Sequence, residues 1–580
     1  MYTASFAFFE ALWEAGVTHC FVNLGSDHPS ILEAMVKGQR ETPDKFPTIV
    51  TCPNEMVALS AAHGMALATG KAQAVIVHVD VGTQGLAAAV HNASMGRVPV
   101  LIFAGLSPFT IEGEMRGSRT EFIHWVQDVH DQKAIVAQYC RFSGEIKTGR
   151  NIKQMVNRAL SFARSDPKGP VYLVGAREIM EEDIEPYNLD QSNWSAVGSA
   201  ALPEDAVKTI GDALARAKNP LVVTGYAGRS EGAVEGMIEL ADRTGARVID
   251  SLGSDVNLPA DHRSYLGVLF GVSKHIEEAD VILLLDVDVP WINTRCKPSS
   301  EAEIHHIDVD PLKQQMPVFY VDAKTRHRGD AGTVLRQINA YLKSKNVTIS
   351  DDRLKQLNEE YERRQQELTI QARPREDGAL SCHYLCASLR KAIPEDAVVM
   401  CEAVTNTAIV IDHLRLTRPN TLFNSGAGGL GWFGGAAVGA KMGLDAITPK
   451  GQKSPFVVAI VGDGTFLFGV PGSFYWMARR YNVPFLTIVL NNSGWNAPRK
   501  SAQLVHPAGF TASATNRELN ISLDPSPDYA GIAKAAAGGD LWAGTVKSVD
   551  ELESKLKEAV AAVESGQSAV LDAYIVGSGF

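Results

Sequence analysis

A chain of 580 residues, 45% hydrophobic and 21% charged, has the composition of an ordinary globular protein and enough length for about three cores. A net charge of −11 without any Lys/Arg-rich tract excludes a nucleic-acid surface as the organising feature, and no apolar run of about 18 residues or more is present to span a membrane. Seven scattered cysteines, an odd number, do not form a disulfide framework and point to a reducing, cytoplasmic setting.

In chain order, residues 1–17 lack a basic leader and read as an amphipathic helix carrying Glu10 and Glu14. Up to about residue 184, strand-like runs at 75–79, 98–103 and 171–174 alternate with helical periodicity, which predicts a parallel sheet covered on both faces. Gly25-Ser26-Asp27-His28-Pro29 follows a strand and opens a helix, so Ser26 and His28 sit at a sheet edge where a substrate carboxylate or carbonyl can be held. Ser26 reads equally well as a helix cap, and His28 as a surface turn residue. Glu55 begins a largely apolar helix, a position the helix dipole favours for any carboxylate. His78 closes a strand and is either a proton-moving group or a satisfied strand-end residue. His63, His91, His124 and His130 follow no pattern and read as structural.

An acidic stretch at 181–199 reads as a linker. The next block, about 200–345, has strands at 221–224, 247–249, 281–285 and 304–309. Gly225 and Gly228 suggest a nucleotide turn, but a complete G-x-G-x-x-G is missing, so this block reads as structural, with bound FAD or ADP the less favoured alternative. A charged helix at 352–372 looks like a connector. Cys382, His383 and Cys386 have no second ligand pair and read as helix packing.

The last block, from about residue 380, carries the strongest signal. A strand at 397–401 leads into a turn over 402–406, and the turn 426–431 holds more glycines than chain reversal needs. A short β-branched strand at 457–461 ends in Gly462-Asp463-Gly464, and a second apolar strand ends in Asn491-Asn492-Ser493-Gly494. Two such strand ends lie at the carboxyl edge of a sheet, where open α/β folds bind ligands. One carboxylate, one amide oxygen and one backbone carbonyl suit Mg²⁺, which completes its shell with phosphate oxygens and water. Asp463, Asn492 and the Gly494 carbonyl fit those roles, with Asn491 the alternative amide. Gly464 and Thr465, at the start of the following helix, favour an anion.

Gly-Asp-Gly, one βα interval and then Asn-Asn resembles the thiamine diphosphate enzymes, within them the benzoylformate decarboxylase, acetolactate synthase, benzaldehyde lyase and 2-hydroxyacyl-CoA lyase group. Gly426-Ala427-Gly428-Gly429-Leu430-Gly431 resembles the group's AGGLG turn, and Asn54-Glu55 with the small-residue run at 61–66 resembles its glutamate-bearing helix. The similarity covers essentially the whole chain. One departure is the region 468–472, which makes the metal motif about two residues longer than the family's.

The resemblance implies an α/β fold of three doubly wound parallel-sheet domains: pyrimidine-binding at 1–184, Rossmann-like at 200–345 and diphosphate-binding at 380–580. It implies thiamine diphosphate and Mg²⁺ as cofactors and a homo-oligomer, dimer or tetramer, with active sites between subunits. It assigns Glu55 to the cofactor's pyrimidine nitrogen, the Gly428 carbonyl to its amine, Leu430 to the wedge between its rings and Thr405 and Asn406 to the diphosphate. Asp463, Gly464, Thr465, Asn492, Gly494 and Trp495 form the metal-diphosphate site. Ser26 and His78 match substrate-side residues of benzoylformate decarboxylase, and Gln127 resembles the active-site glutamine of acetolactate synthases and benzaldehyde lyase. The adjacent histidine pair of pyruvate decarboxylases is missing between 112 and 132, which disfavours simple pyruvate decarboxylation. The expected activity is 2-oxo acid decarboxylation or carboligation, acting on a 2-oxo acid, aldehyde or acyloin. A 2-hydroxyacyl-CoA or oxalyl-CoA lyase is the alternative, suggested by Asp131-Gln132 and the segment 480–484. A non-catalytic cofactor-binding protein is the alternative of a different class.

Overall fold

Three six-stranded parallel sheets follow one another along the chain in the computed structural model, which describes residues 2–577. The first contains β1 (His19–Val22), β2 (Thr48–Thr51), β3 (Gln73–Val77), β4 (Val100–Leu106), β5 (Phe142–Ile146) and β6 (Pro170–Ala176), in the order β2-β1-β3-β4-β6-β5. The second contains β7 (Pro220–Thr224), β8 (Arg247–Asp250), β9 (Tyr265–Val268), β10 (Val281–Leu285), β11 (Glu303–Asp308) and β12 (Thr325–Arg328), in the order β12-β11-β10-β7-β8-β9. The third contains β13 (Val398–Glu402), β14 (Leu422–Phe423), β15 (Val457–Gly462), β16 (Leu486–Asn491), β17 (Trp542–Val546) and β18 (Ala569–Tyr574), in the order β14-β13-β15-β16-β18-β17.

Central strands such as β3, β10 and β16 are buried along their whole length, because helices cover both faces of each sheet. This is why they read in sequence as unbroken apolar runs rather than alternating ones. β3 starts and stops two residues earlier than its apolar pattern suggests, since Asp80 already opens a short helix, Asp80–Gly85. The N-terminal helix, Ala4–Glu14, is capped by Thr3 and almost entirely buried, so it belongs to the first core.

The first and third sheets share one core through two crossing helices, Glu55–Thr69 and Trp432–Ile447. At the crossing, Gly64 lies against the Ala436 carbonyl and Gly439 against the Ala61 carbonyl, so close that a Cβ at either position overlaps backbone. The first and second sheets are joined by charge instead. Arg97, 9% exposed, reaches from the turn before β4 to Asp286 at 2.5 Å, Asp288 at 2.8 Å and Asp308 at 3.3 Å. Lys313 pairs with Asp288 and Asp308 at 2.8 and 2.5 Å. Asp286 and Asp308 stand at the ends of β10 and β11, so these pairs close the carboxyl edge of the central sheet. Replacing Arg97 with Met leaves Asp286 without an ion pair and Asp288 and buried Asp308 with Lys313 as their one cation among these pairs. Such a broken network costs about 3–5 kcal/mol, and a marked fall in the thermal unfolding midpoint is the expected outcome.

Candidate active site

β15 and β16 pair in register, Gly462 opposite Leu490, so the chain leaves the sheet at both strand ends side by side. Asp463 and Asn492 thereby become neighbours although 29 residues separate them. Asp463 is 2% exposed; its Oδ1 accepts from the Gly464 amide at 2.8 Å and its Oδ2 from the Gly494 amide at 3.0 Å. Burial raises its carboxyl pKa, against backbone donors that favour the charged form. Beside these residues opens a cavity of about 330 Å³. Thr405, Asn406, Gly428, Leu430, Asp463, Gly464, Thr465, Asn492, Gly494 and Trp495 all line it.

Two observations test whether this cavity suits a cation and a diphosphate. In one orientation of the Asn492 amide, its Nδ2 donates to Asp463 Oδ2 at 3.2 Å and to the Gly494 carbonyl at 2.8 Å, while its Oδ1 accepts from Asn496 Nδ2 at 2.6 Å. In the other orientation, Oδ1 takes the place of that nitrogen and three oxygens converge. Oxygens bound at right angles about 2.1 Å from a magnesium ion stand about 3 Å apart, and the Asn492 position lies 3.2 Å from Asp463 Oδ2 and 2.8 Å from the Gly494 carbonyl, near that spacing. The second observation is Asn406 Oδ1, buried at the cavity wall with no partner among the described residues; with the amide turned, Nδ2 takes its place and presents the donor that a diphosphate oxygen needs. Asn491 does not compete for the ligand role. Its amide is used by Asp572 and Ser526, both at 3.0 Å, and by the Ser493 amide at 3.2 Å.

The glycine-rich turn after β14 is shaped mainly by protein. Asn92 clamps the Gly429 peptide, donating to its carbonyl at 2.8 Å and accepting from its amide at 3.0 Å. A Cβ at Gly429 would lie 2.6 Å from Ala88 Cβ, and one at Gly426 2.6 Å from Gly96. Only Gly428 has no neighbour within 4 Å, and it faces the cavity. Glu402, at the end of β13, accepts from the amides of Gly431 at 2.9 Å, Trp432 at 3.4 Å and Phe433 at 2.8 Å, so it caps the long helix that follows. Burial pushes its carboxyl up to about 8 in spite of those three donors. The extra length at 468–472 is taken up by a break between the helices Asp463–Phe468 and Pro471–Arg480, where Val470 has φ 56°.

A second polar cluster forms at the carboxyl edge of the first sheet. His78, immediately after β3, meets Asp27 through Nδ1 and Gln127 Oε1 through Nε2, the latter at 3.0 Å. Burial alone would lower the His78 pKa, but the hydrogen bond and charge of Asp27 outweigh it and raise the pKa above 6.5. His28 lies behind them, 1% exposed. Its Nδ1 accepts from the Gly25 amide at 3.2 Å, so its proton is on Nε2, 3.3 Å from Asp27 Oδ2. Burial lowers its pKa, which suits a neutral support for Asp27. Ser26 Oγ lies 3.3 Å from His124 Nε2. Glu55 is the first residue of its helix, packed on Gly85, with Asn54 capping through Val57. It does not line the cavity in the third sheet, nor does any other member of this cluster.

Sequence models of the thiamine pyrophosphate enzyme family match the chain in three parts: the N-terminal TPP binding domain at 2–135, the central domain at 207–338 and the C-terminal TPP binding domain at 403–573. The chain belongs to the thiamine pyrophosphate enzyme family. It is 26% identical to the benzoylformate decarboxylase of Pseudomonas aeruginosa over 97% of both chains. It is 23% identical to the acetolactate synthase isozyme 3 large subunit of Escherichia coli, over 90% of this chain and 87% of that one. The fold is that of the thiamine diphosphate-dependent 4-hydroxybenzoylformate decarboxylase of Rhodococcus jostii RHA1, with a TM-score of 0.78, 22% identity and 99% coverage of each chain.

Within this thiamine pyrophosphate enzyme the candidate residues thus fall into two separate half-sites, one on each outer sheet. Sequence reasoning missed Asp27, Asn92, His124, Arg177 and Glu402 as organising groups. Asp27 stood inside a motif already singled out, but nothing in the spacing tied it to His78, 51 residues away. The Asp27–His78 pair yields a pH test. A raised folded-state pKa means the pair's stabilisation is complete below the ordinary imidazole value and is lost as pH rises through the folded value. In Asp27→Asn, burial is opposed only by the Gln127 hydrogen bond and the Asp80 charge, and the His78 pKa should fall from its parent value, as followed by NMR.

Proposed function

We propose that this chain is a 2-oxo acid decarboxylase or carboligase, making or breaking a carbon–carbon bond beside a carbonyl, with thiamine diphosphate and Mg²⁺ bound. The observation that carries the reading is the meeting of Asp463, Asn492 and the Gly494 carbonyl at the wall of a cavity that also presents Gly428, Leu430 and Thr405. The cofactor, when bound, supplies an electron sink next to the substrate carbonyl carbon. Asp463, Asn492 and the Gly494 carbonyl would hold the cation, and Gly464, Thr465, Thr405 and Asn406 the diphosphate. The Gly428 carbonyl and Leu430 would orient the rings. The benzoylformate decarboxylase and acetolactate synthase relatives favour a 2-oxo acid as substrate.

On this reading Glu55, His78, Gln127 and Ser26 of one copy complete the cavity of a second copy. Two groups of exposed apolar side chains support such a junction. Phe109, Ile111, Phe122, Trp125 and Val126 surround the half-site on the first sheet; Val404, Phe468, Leu504 and Phe510 flank the cavity on the third. Glu55 would hydrogen-bond the cofactor's pyrimidine nitrogen, and His78, when protonated, would donate to an oxygen or carbon of the reacting substrate. Closure of the two apolar rims would exclude water from the reacting centre. We assign no flavin to the central sheet. Its carboxyl edge is closed by Arg97 and Lys313 against Asp286, Asp288 and Asp308, and these acids disfavour a pyrophosphate there.

The test is a set of 2-oxo acids offered with and without an acceptor aldehyde, analysed for CO₂ and acyloin. Product that depends on thiamine diphosphate and Mg²⁺ is expected; a protein that binds the cofactor yet converts none of them sinks the reading. Glu55→Gln is expected to lower kcat by about 100-fold or more while the thermal midpoint and circular dichroism stay those of the parent.

A further inference from the structure

Arg177 forms no ion pair among the described residues, although its charge acts on Glu181 from a distance. Arg177 is the first residue after β6, at the same sheet edge as Ser26 and His78. Its Nη1 reaches the Ser26 carbonyl at 3.4 Å, Thr120 Oγ1 at 3.2 Å and His124 Nε2 at 3.4 Å, and its Nε is buried without a partner. Each nearby acid has a partner of its own, while Glu178 Oε2 and Asp27 Oδ2 stay buried without a hydrogen bond. Glu178 accepts from the Thr110 amide at 2.8 Å and hydroxyl at 2.5 Å, Glu181 pairs with Arg116 at 3.4 Å, and Asp27 serves His78 and His28. Among the described residues, no carboxylate lies within ion-pair distance of the Arg177 guanidinium.

The neighbouring groups are donors as well. The Thr120 amide donates to His124 Nδ1 at 3.3 Å, so a neutral His124 carries its proton on Nε2 and gives it to Ser26 Oγ at 3.3 Å. Burial and the Arg177 charge both lower the His124 pKa, which keeps it neutral. With its oxygen accepting from His124, the Ser26 hydroxyl has its own hydrogen left to donate. Arg177 Nη1 is satisfied by chain acceptors, but its Nε is buried without one, and the Ser26 hydroxyl hydrogen has none among the described residues. Such a fork of donors matches a carboxylate or sulfonate.

We propose that Arg177 and Ser26 form a subsite for an anionic group that stays on the substrate throughout the reaction, so that the preferred substrates are 2-oxo acids bearing a second acid group. This inference rests on the 2-oxo acid reading above. A cation holding the carboxylate that departs as CO₂ would stabilise the ground state and slow the step, whereas one holding a remote, permanent acid binds ground and transition states alike and orients the chain.

Two measurements on the holoenzyme test it. The first compares kcat/KM for 2-oxoglutarate and 2-oxopentanoate, which differ in the terminal acid. The parent should prefer the diacid, and Arg177→Met should shrink that preference by about 10- to 100-fold, mostly through KM, with Arg177→Lys between the two. An equal preference in the parent, or an unchanged ratio in Arg177→Met, overturns the proposal. The second uses glutarate, which has no reacting carbonyl, titrated into holoenzyme by calorimetry. Binding to the parent that weakens about 10-fold or more in Arg177→Met supports the subsite even if neither oxo acid is turned over, in which case the activity reading fails and the subsite stands. No glutarate binding to the parent overturns the subsite whatever the activity.

Discussion

One carboxylate ties together the two strand ends on which the third sheet's cavity depends. Asp463 spends one oxygen on the amide beside it and the other on Gly494, across the edge of the sheet. Those bonds fix the second loop so that the Gly494 carbonyl and the Asn492 amide face the same point. Turning that amide interchanges a closed hydrogen-bonded loop and a cluster of three oxygens, the arrangement proposed for the cation, without moving the backbone. A site built this way is ordered before its ligand arrives, so little conformational entropy is left to lose on binding.

The same economy recurs around the cavity. Glu402 reaches from the end of one strand to three amides at the start of a helix and so fixes the turn between them. Asn92, from the first block, clamps that turn from behind. The glycines there are needed because helices and neighbouring turns press on them, and Gly428 alone is open to the cavity. Precision at the site is thus supplied by contacts between distant parts of the chain, in keeping with the glycine-on-carbonyl crossing that joins the first and third sheets.

The three sheets play different parts. The outer two each carry one of the two polar clusters at their carboxyl edge, and the central one fills the corresponding edge with ion pairs to Arg97 and Lys313. The two histidines on the first sheet are held in opposite states. Asp27 raises the pKa of His78, while burial and Arg177 lower that of His124. One cluster therefore offers both a proton donor near neutral pH and a neutral orienting ring.

The sequence by itself determined the α/β class, most strand positions and the residues that line the cavity, because buried parallel strands are continuous apolar runs and the loops after them carry Gly, Asp and Asn in fixed order. Asp463, Asn492, Gly428 and Leu430 were legible for that reason. Tertiary structure alone supplies an argument for Asn492 over Asn491, since only the packing reveals that Asp572 and Ser526 already hold Asn491. It also decided that His28 points inward, that Glu55 stands apart from the cavity of its own chain, and that His124 and Arg177 join Ser26. These pairings link residues 50 to 150 positions apart across a sheet edge. Local sequence records the strand and turn that carry each side chain, but strand order brings the carriers together, and only long-range hydrogen-bonded pairing sets that order.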